Sequence, residues 1–156
     1  MASYQVSNHT PRRGGMTGER AMPVSTDDYV AVADFYARYN WAVDEGDADG
    51  WAQCFTEDGE FLGAIPDNPT GHEQLRQVPI ASGKPSGPMR HMAVNLFCDY
   101  DGADKDTIIA KFYNAVSYWE GEGKWFVTAL VTARLVRTGN SWRIRRADNI
   151  MLPRPA

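Results

Sequence analysis

Residues 88–100 read "PMRHMAVNLFCDY", an apolar run that carries two basic side chains, Arg90 and His91, near its start. Such a run suits a β-strand, whose side chains alternate between two faces. Alternation predicts one face of His91, Ala93, Asn95, Phe97 and Asp99, and another of Met92, Val94, Leu96, Cys98 and Tyr100. The second face is apolar and suits packing or contact with another copy. The first mixes polar and aromatic groups and suits the wall of a cavity. Arg90 falls on the side away from His91.

This strand opens a series. Residues 107–120, 124–137 and 141–151 also read as strands, the last two joined by the hairpin signal "TGNS". The loop before the series is "ASGKPSGP", residues 81–88. Upstream, Ser25, Thr26 and Asp27 supply a helix cap and negative charge at the positive end of a helix dipole. Tyr29, Val32, Tyr36, Tyr39 and Val43 then recur at spacings of three and four, which makes one apolar face, until Gly46 ends the helix. Asp47 caps a second, short helix through Trp51, Cys54 and Phe55, and "TEDGEFLGAI" turns into a strand holding Phe61 and Ile65. Thr70 to Glu73 match a capping box, which predicts a third helix over 71–77 that stops before Pro79, with His72 in its exposed first turn.

Helices first and long strands afterwards predict an α+β domain. Its expected form is a strongly bent, mostly antiparallel sheet with about three N-terminal helices packed on one face, so that the concave side encloses a pocket. The domain is expected over residues 26–151, after a flexible arm at 1–25 that is rich in Gly, Pro, Ser and Arg, and before a tail at 152–156. At 156 residues one domain is enough to bury a core, and 12% aromatic residues suit an apolar cavity.

Composition also excludes. A net charge of −4 without clustered Lys and Arg argues against nucleic acid as a partner. Arg143, Arg145 and Arg146 read as a solvated face or ion-pair set. No stretch is long and apolar enough to span a membrane, and the first residues lack a signal-peptide core, so the expected location is cytoplasmic. Cys54 and Cys98 read as reduced, buried thiols, and His9, His72 and His91 form no zinc pattern. "GGMTG" in the arm lacks the Lys-Ser/Thr ending of a phosphate loop. No metal, nucleotide or flavin motif is present, so no cofactor is expected.

Two ionisable residues remain as candidates for chemistry. Asp44 lies on the helical wheel about 80° from Tyr36 and about 100° from Val43, on the shoulder of the buried face beside Asn40. A carboxylate there meets the negative end of the helix dipole. Spacing alone leaves Asp44 open to being part of an acidic solvated turn and His91 to being a satisfied core histidine. If the two meet, the carboxylate orients the imidazole, fixes its tautomer and raises its basicity, which makes a proton-abstracting pair. Tyr39 reads equally as a core residue or as a donor to a substrate oxygen.

The stretches "FYARYNWAVDEGDADGWAQCFTEDGEF" (35–61), "RHMAVNLFCDYDG" (90–102) and "ARLVRTGNSWRIRRA" (133–147) together resemble the SnoaL-like group of the nuclear transport factor 2-like superfamily. The resemblance covers roughly residues 26–151. It implies a cone-shaped α+β barrel around a deep pocket, often dimeric. Scytalone dehydratase, lindane dehydrochlorinase and bile acid 7α-dehydratase are similar in pairing a helix-borne aspartate with a strand-borne histidine. On this resemblance Asp44 and His91 fall at those two positions, and Tyr39 matches a tyrosine of the dehydratase branch. The chain departs from many SnoaL-like sequences at Ala133, where they carry an acidic residue.

The resulting expectation is a cofactor-independent acid–base enzyme acting on a hydrophobic oxygenated small molecule, polyketide, terpenoid or steroid-like. His91 is the base, Asp44 holds it, and Tyr39 completes the catalytic set. Asn40, Asn95, Phe61 and Trp119 position the substrate. Elimination by a dehydratase is preferred over isomerisation or cyclisation. The alternative is a non-catalytic binding module or a protein like the β subunits of ring-hydroxylating dioxygenases, which also carry "RHxxxN" strands. Self-association as a homodimer or higher homo-oligomer through the sheet is expected in either case.

Overall fold

The structure is a computed structural model that describes residues 22–81 and 89–152. In chain order its elements are β1 (Met22–Pro23), α1 (Thr26–Glu45), α2 (Ala48–Gln53), β2 (Phe55–Leu62), α3 (Gly71–Leu75), α4 (Gln77–Ala81), β3 (Met89–Asp101), β4 (Asp104–Tyr118), β5 (Lys124–Thr138) and β6 (Ser141–Met151). The strands form one curved, unclosed sheet in the order β1-β3-β4-β5-β6-β2. Every pairing is antiparallel except β2 with β6. The α+β class and the strongly curved, mostly antiparallel sheet are therefore as expected.

Local chemistry sets the ends of α1. The Ser25 side chain accepts from Asp28 N at 3.2 Å, and Asp27 and Asp28 occupy the first turn. Gly46 closes the helix at φ 71°, a conformation that costs glycine little, and Asp47 N reaches back to Ala42 O at 2.9 Å. Val32, Tyr36, Tyr39 and Val43 are buried on the face turned to the sheet, together with Asn40 and Asp44. Tyr29 is not part of that face: it is 41% exposed, and its hydroxyl donates to Leu96 O at 3.3 Å.

The core is an aromatic stack over small strand residues. Tyr36 meets Phe112 with ring centroids 4.4 Å apart, and Trp51 contacts Tyr39, Phe55 and Phe61 at 5.4, 5.0 and 5.4 Å. Below lies a row that pairs Cys98, Ala110, Ala133 and Ala147 across four strands, all buried. Ala133 thus stands where a larger or charged side chain would compete with those rings for space. Burial pushes the Cys98 thiol up to about 12 and the Cys54 thiol up to about 11, which leaves both as inert thiols.

Several expectations need correction. In β3 the alternation breaks at Asn95, where the register with β4 shifts between Val94 and Phe97 and Asn95 takes φ 56°. This bulge reverses the faces. His91 and Ala93 look inward before it, and Leu96, Cys98 and Tyr100 look inward after it, while Phe97 is 52% exposed. Asn95 itself is exposed. Because Asn tolerates the left-handed region and a β-branched residue does not, Asn95→Gly is expected to leave urea stability nearly unchanged, while Asn95→Val lowers it by about 1–3 kcal/mol. Equal stability of the two variants would mean that the bulge does not depend on this backbone conformation.

The predicted third helix is two short turns separated by Arg76, and Pro79 sits inside the second rather than stopping the first. A proline is tolerated in a first turn because no helical partner awaits its missing N–H. Thr70 makes no side-chain cap; instead its N–H donates to Gln74 Oε1 at 3.0 Å. His72 is half-buried, with Nε2 3.0 Å from Phe55 O, so it serves a structural contact. Phe55 starts β2 rather than ending α2, and Ile65 lies beyond β2. Met22 and Pro23, within the expected arm, pair with Tyr100 and Asp99. At the other end Leu152 N still bonds Thr128 O at 2.8 Å. The rest of the expected arm, residues 1–21, and of the tail, residues 153–156, lie outside the described residues. Arg145 and Arg146 do form ion pairs, with Asp58 at 3.1 Å and Asp148 at 2.8 Å.

Candidate active site

The last turn of α1 packs against the first half of β3, and there Asp44 grips His91 with both carboxylate oxygens. Oδ1 lies 2.7 Å from the ring Nδ1, and Oδ2 accepts from the His91 main-chain N–H at 3.1 Å. The strand topology explains the second bond. On the side of β3 away from β4, β1 reaches only Asp99 and Tyr100, so among the described residues no strand pairs with the His91 N–H there. Asp44 fills that role and at the same time fixes the imidazole in position. The two side chains are 6% and 16% exposed, so the contact is largely shielded from water. A carboxylate only accepts, so Nδ1 carries the proton in the neutral ring and Nε2 keeps its lone pair.

His91 stands between two spaces. An interior cavity of about 360 Å³ is bounded by Tyr39, Trp51, Phe61, His91, Asn114 and Val127, among others. A more open groove of about 680 Å³ runs along the free edge of β3 and is lined by Asn40, Asp44, His91, Asn95 and Trp119. The residues expected to form one site therefore divide: Tyr39 and Phe61 belong to the cavity, Asn40, Asn95 and Trp119 to the groove, and only His91 to both. Arg90, expected to point away, also lines the groove, which follows the strand edge. Trp119 is 66% exposed, with its indole N–H donating to Ser117 Oγ at 2.9 Å.

Burial, with the nearby Cys54 thiol acting in the same direction, raises the pKa of the Tyr39 phenol far above the usual tyrosine value. Tyr39 therefore stays protonated and can donate to an oxygen in the cavity but cannot act as a base. Sequence reasoning missed two cavity residues, Trp51 and Asn114. Their Nε1 and Oδ1 atoms are buried without a hydrogen-bond partner. The signal for Asn114 was present: it is the polar member of the otherwise apolar inward series Phe112, Asn114, Val116. Among the described residues no cluster of three or more His, Cys, Asp or Glu could hold a metal ion, and no helix is long and apolar enough to cross a membrane.

The model of the SnoaL-like domain family matches residues 24–148. The chain belongs to this family. The SnoaL-like fold is also what solved structures share with it. Aln2 from a Streptomyces species is 28% identical with a TM-score of 0.71, over 82% of this chain and 92% of its own. ActVI-ORFA from Streptomyces coelicolor is 23% identical with a TM-score of 0.69, over 81% and 98%. A scytalone dehydratase-like protein from Novosphingobium aromaticivorans is 14% identical with a TM-score of 0.68, over 81% and 85%. The last two likenesses concern the fold alone. No curated protein matches the sequence.

Proposed function

We propose that this SnoaL-like protein is an acid–base enzyme that removes a proton from carbon in a hydrophobic, oxygenated small molecule. The observation that carries the reading is the 2.7 Å contact between Asp44 Oδ1 and His91 Nδ1, on a ring that lines the cavity. With Nδ1 engaged, Nε2 is the nitrogen left for the substrate. It takes a proton from a carbon next to a carbonyl while Tyr39 donates to the carbonyl oxygen, where negative charge develops. Asp44 stabilises the imidazolium that forms. In an elimination the electron pair of the broken C–H bond becomes the new C=C bond. The β-oxygen then leaves with the proton returned by His91, as water. Isomerisation or cyclisation would use the same first step. A screen of one- and two-ring β-hydroxy ketones, followed by the absorbance of the conjugated product, tests the proposal. Accelerated loss of water by the purified protein supports it, and a flat response across the panel counts against elimination.

A second reading has its own observation. The bond from the His91 N–H to Asp44 Oδ2 satisfies a strand edge, and a carboxylate could be kept for that purpose in a protein that binds a small molecule without transforming it. The two readings part on turnover in Asp44 and His91 variants.

The proposal extends to self-association. Met92, Val94, Phe97, Tyr113 and Trp125 are between 38% and 61% exposed on β3, β4 and β5, and such a concentration of apolar side chains suits contact with a second copy through the sheet. Sedimentation at micromolar concentration is expected to give a dimer or larger homo-oligomer; a monomer would remove this part of the proposal.

A further inference from the structure

The cavity is lined by Asn114, whose amide oxygen neither the described fold nor the proposed chemistry uses. Asn114 projects from β4 into a row whose neighbours are Ala93 on β3 and Ala129 on β5. Both neighbours end at Cβ and offer no side-chain polar atom to the amide. The rest of the nearby wall is apolar, with Val116, Phe126 and Val127. The Asn114 Oδ1 atom is buried and has no hydrogen-bond partner. A buried amide oxygen in apolar surroundings is unfavourable unless something brings it a partner, and no residue of the described chain does so.

Register locates this amide relative to the proposed base. His91 is directly opposite Val116, two residues along β4 from Asn114. Diagonal neighbours of this kind lie about 7–8 Å apart, which is roughly the span of one or two fused rings. An amide offers a donor at one end and an acceptor at the other, and a half-turn exchanges them, so it can pair with a hydroxyl or a carbonyl. The cavity, at about 360 Å³, is near the small end of the roughly 300–1,000 Å³ range of ligand pockets. That favours one or two rings over a four-ring skeleton.

We infer that Asn114 is the specificity-determining residue of the cavity. It binds a second oxygen substituent of a one- or two-ring substrate, across the ring from the carbon presented to His91. The inference rests on the cavity being the substrate site, as proposed above, and narrows the substrate class to ring compounds with two separated oxygens. A site built to hydrogen-bond an oxygen discriminates against the analogue that lacks it, because the buried partner is then left unpaired.

Calorimetric titration with 2-naphthol and naphthalene-2,7-diol tests it. Wild type is expected to bind the diol about 3- to 10-fold more tightly than the mono-ol. Asn114→Leu, close in shape but without polar atoms, is expected to lose that preference and to melt no lower than wild type. Asn114→Ser is the second variant should the leucine fail to fold, and it too should reduce the preference. His91→Gln is expected to keep the preference, so a failure of the proton-abstraction reading does not register here. A preference that survives both Asn114 variants overturns the inference, as does wild type that binds the two probes equally or binds neither.

Discussion

His91→Ala is expected to lower kcat by about 100- to 10,000-fold on any substrate the protein turns over, because it removes the group proposed to take the proton. Asp44→Asn should lower kcat by about 100- to 1,000-fold, with KM changed far less. The asparagine can still offer an oxygen to Nδ1 or to the main-chain N–H, but it carries no charge to stabilise an imidazolium. The split between kcat and KM separates catalysis from architecture. If Asp44 served only the free edge of β3, Asp44→Asn would lower the melting temperature while leaving kcat alone. Steady-state kinetics and thermal melts on the same preparations distinguish these outcomes.

Trp51→Ala is expected to have the largest effect on stability, about 3–5 kcal/mol, corresponding to a fall in melting temperature of about 6–20 °C. Trp51 is 1% exposed and touches three aromatic rings contributed by α1 and β2. Removing the indole leaves a void between the helices and the sheet that those rings cannot fill without leaving their rotamers. Trp51→Phe should cost much less, since it keeps a ring in the stack. Urea unfolding of both variants measures the difference. Equal losses would place the importance of Trp51 in its N–H rather than in its volume.

Much of this fold was legible because its signals are local. The spacing of Val32, Tyr36, Tyr39 and Val43, the Ser25 cap and the Gly46 stop describe α1 without reference to anything distant. The four late strands follow from composition, and the β5–β6 turn from Gly139 and Asn140. The family was legible because the stretches around Asp44 and His91 stand in the right order.

What escaped was non-local or broke a period. Alternation assumes an unbroken pleat, and the bulge at Asn95 reverses it; the hint was an asparagine, one of the few side chains that accept a positive φ. The parallel pairing of β2 with β6 joins residues more than eighty positions apart, and no sequence pattern in either strand announces its partner. The division of the expected site into cavity and groove depends on which side of His91 each residue reaches, which is a property of the packed helix and sheet together. Asn114 was visible as a polar residue in an apolar series, but its meaning came only with the alanines on either side.

The central claim is that His91, held by Asp44, takes a proton from carbon in the interior cavity. Proton exchange tests it without knowledge of the natural product. In deuterated buffer, the hydrogens next to the carbonyl of one- and two-ring ketones can be followed by NMR in the presence of wild type, His91→Ala and Asp44→Asn. Exchange faster than buffer is expected with wild type, the buffer rate with His91→Ala, and an intermediate or buffer rate with Asp44→Asn. Wild-type exchange at the buffer rate across the panel, or undiminished exchange in both variants, would contradict it.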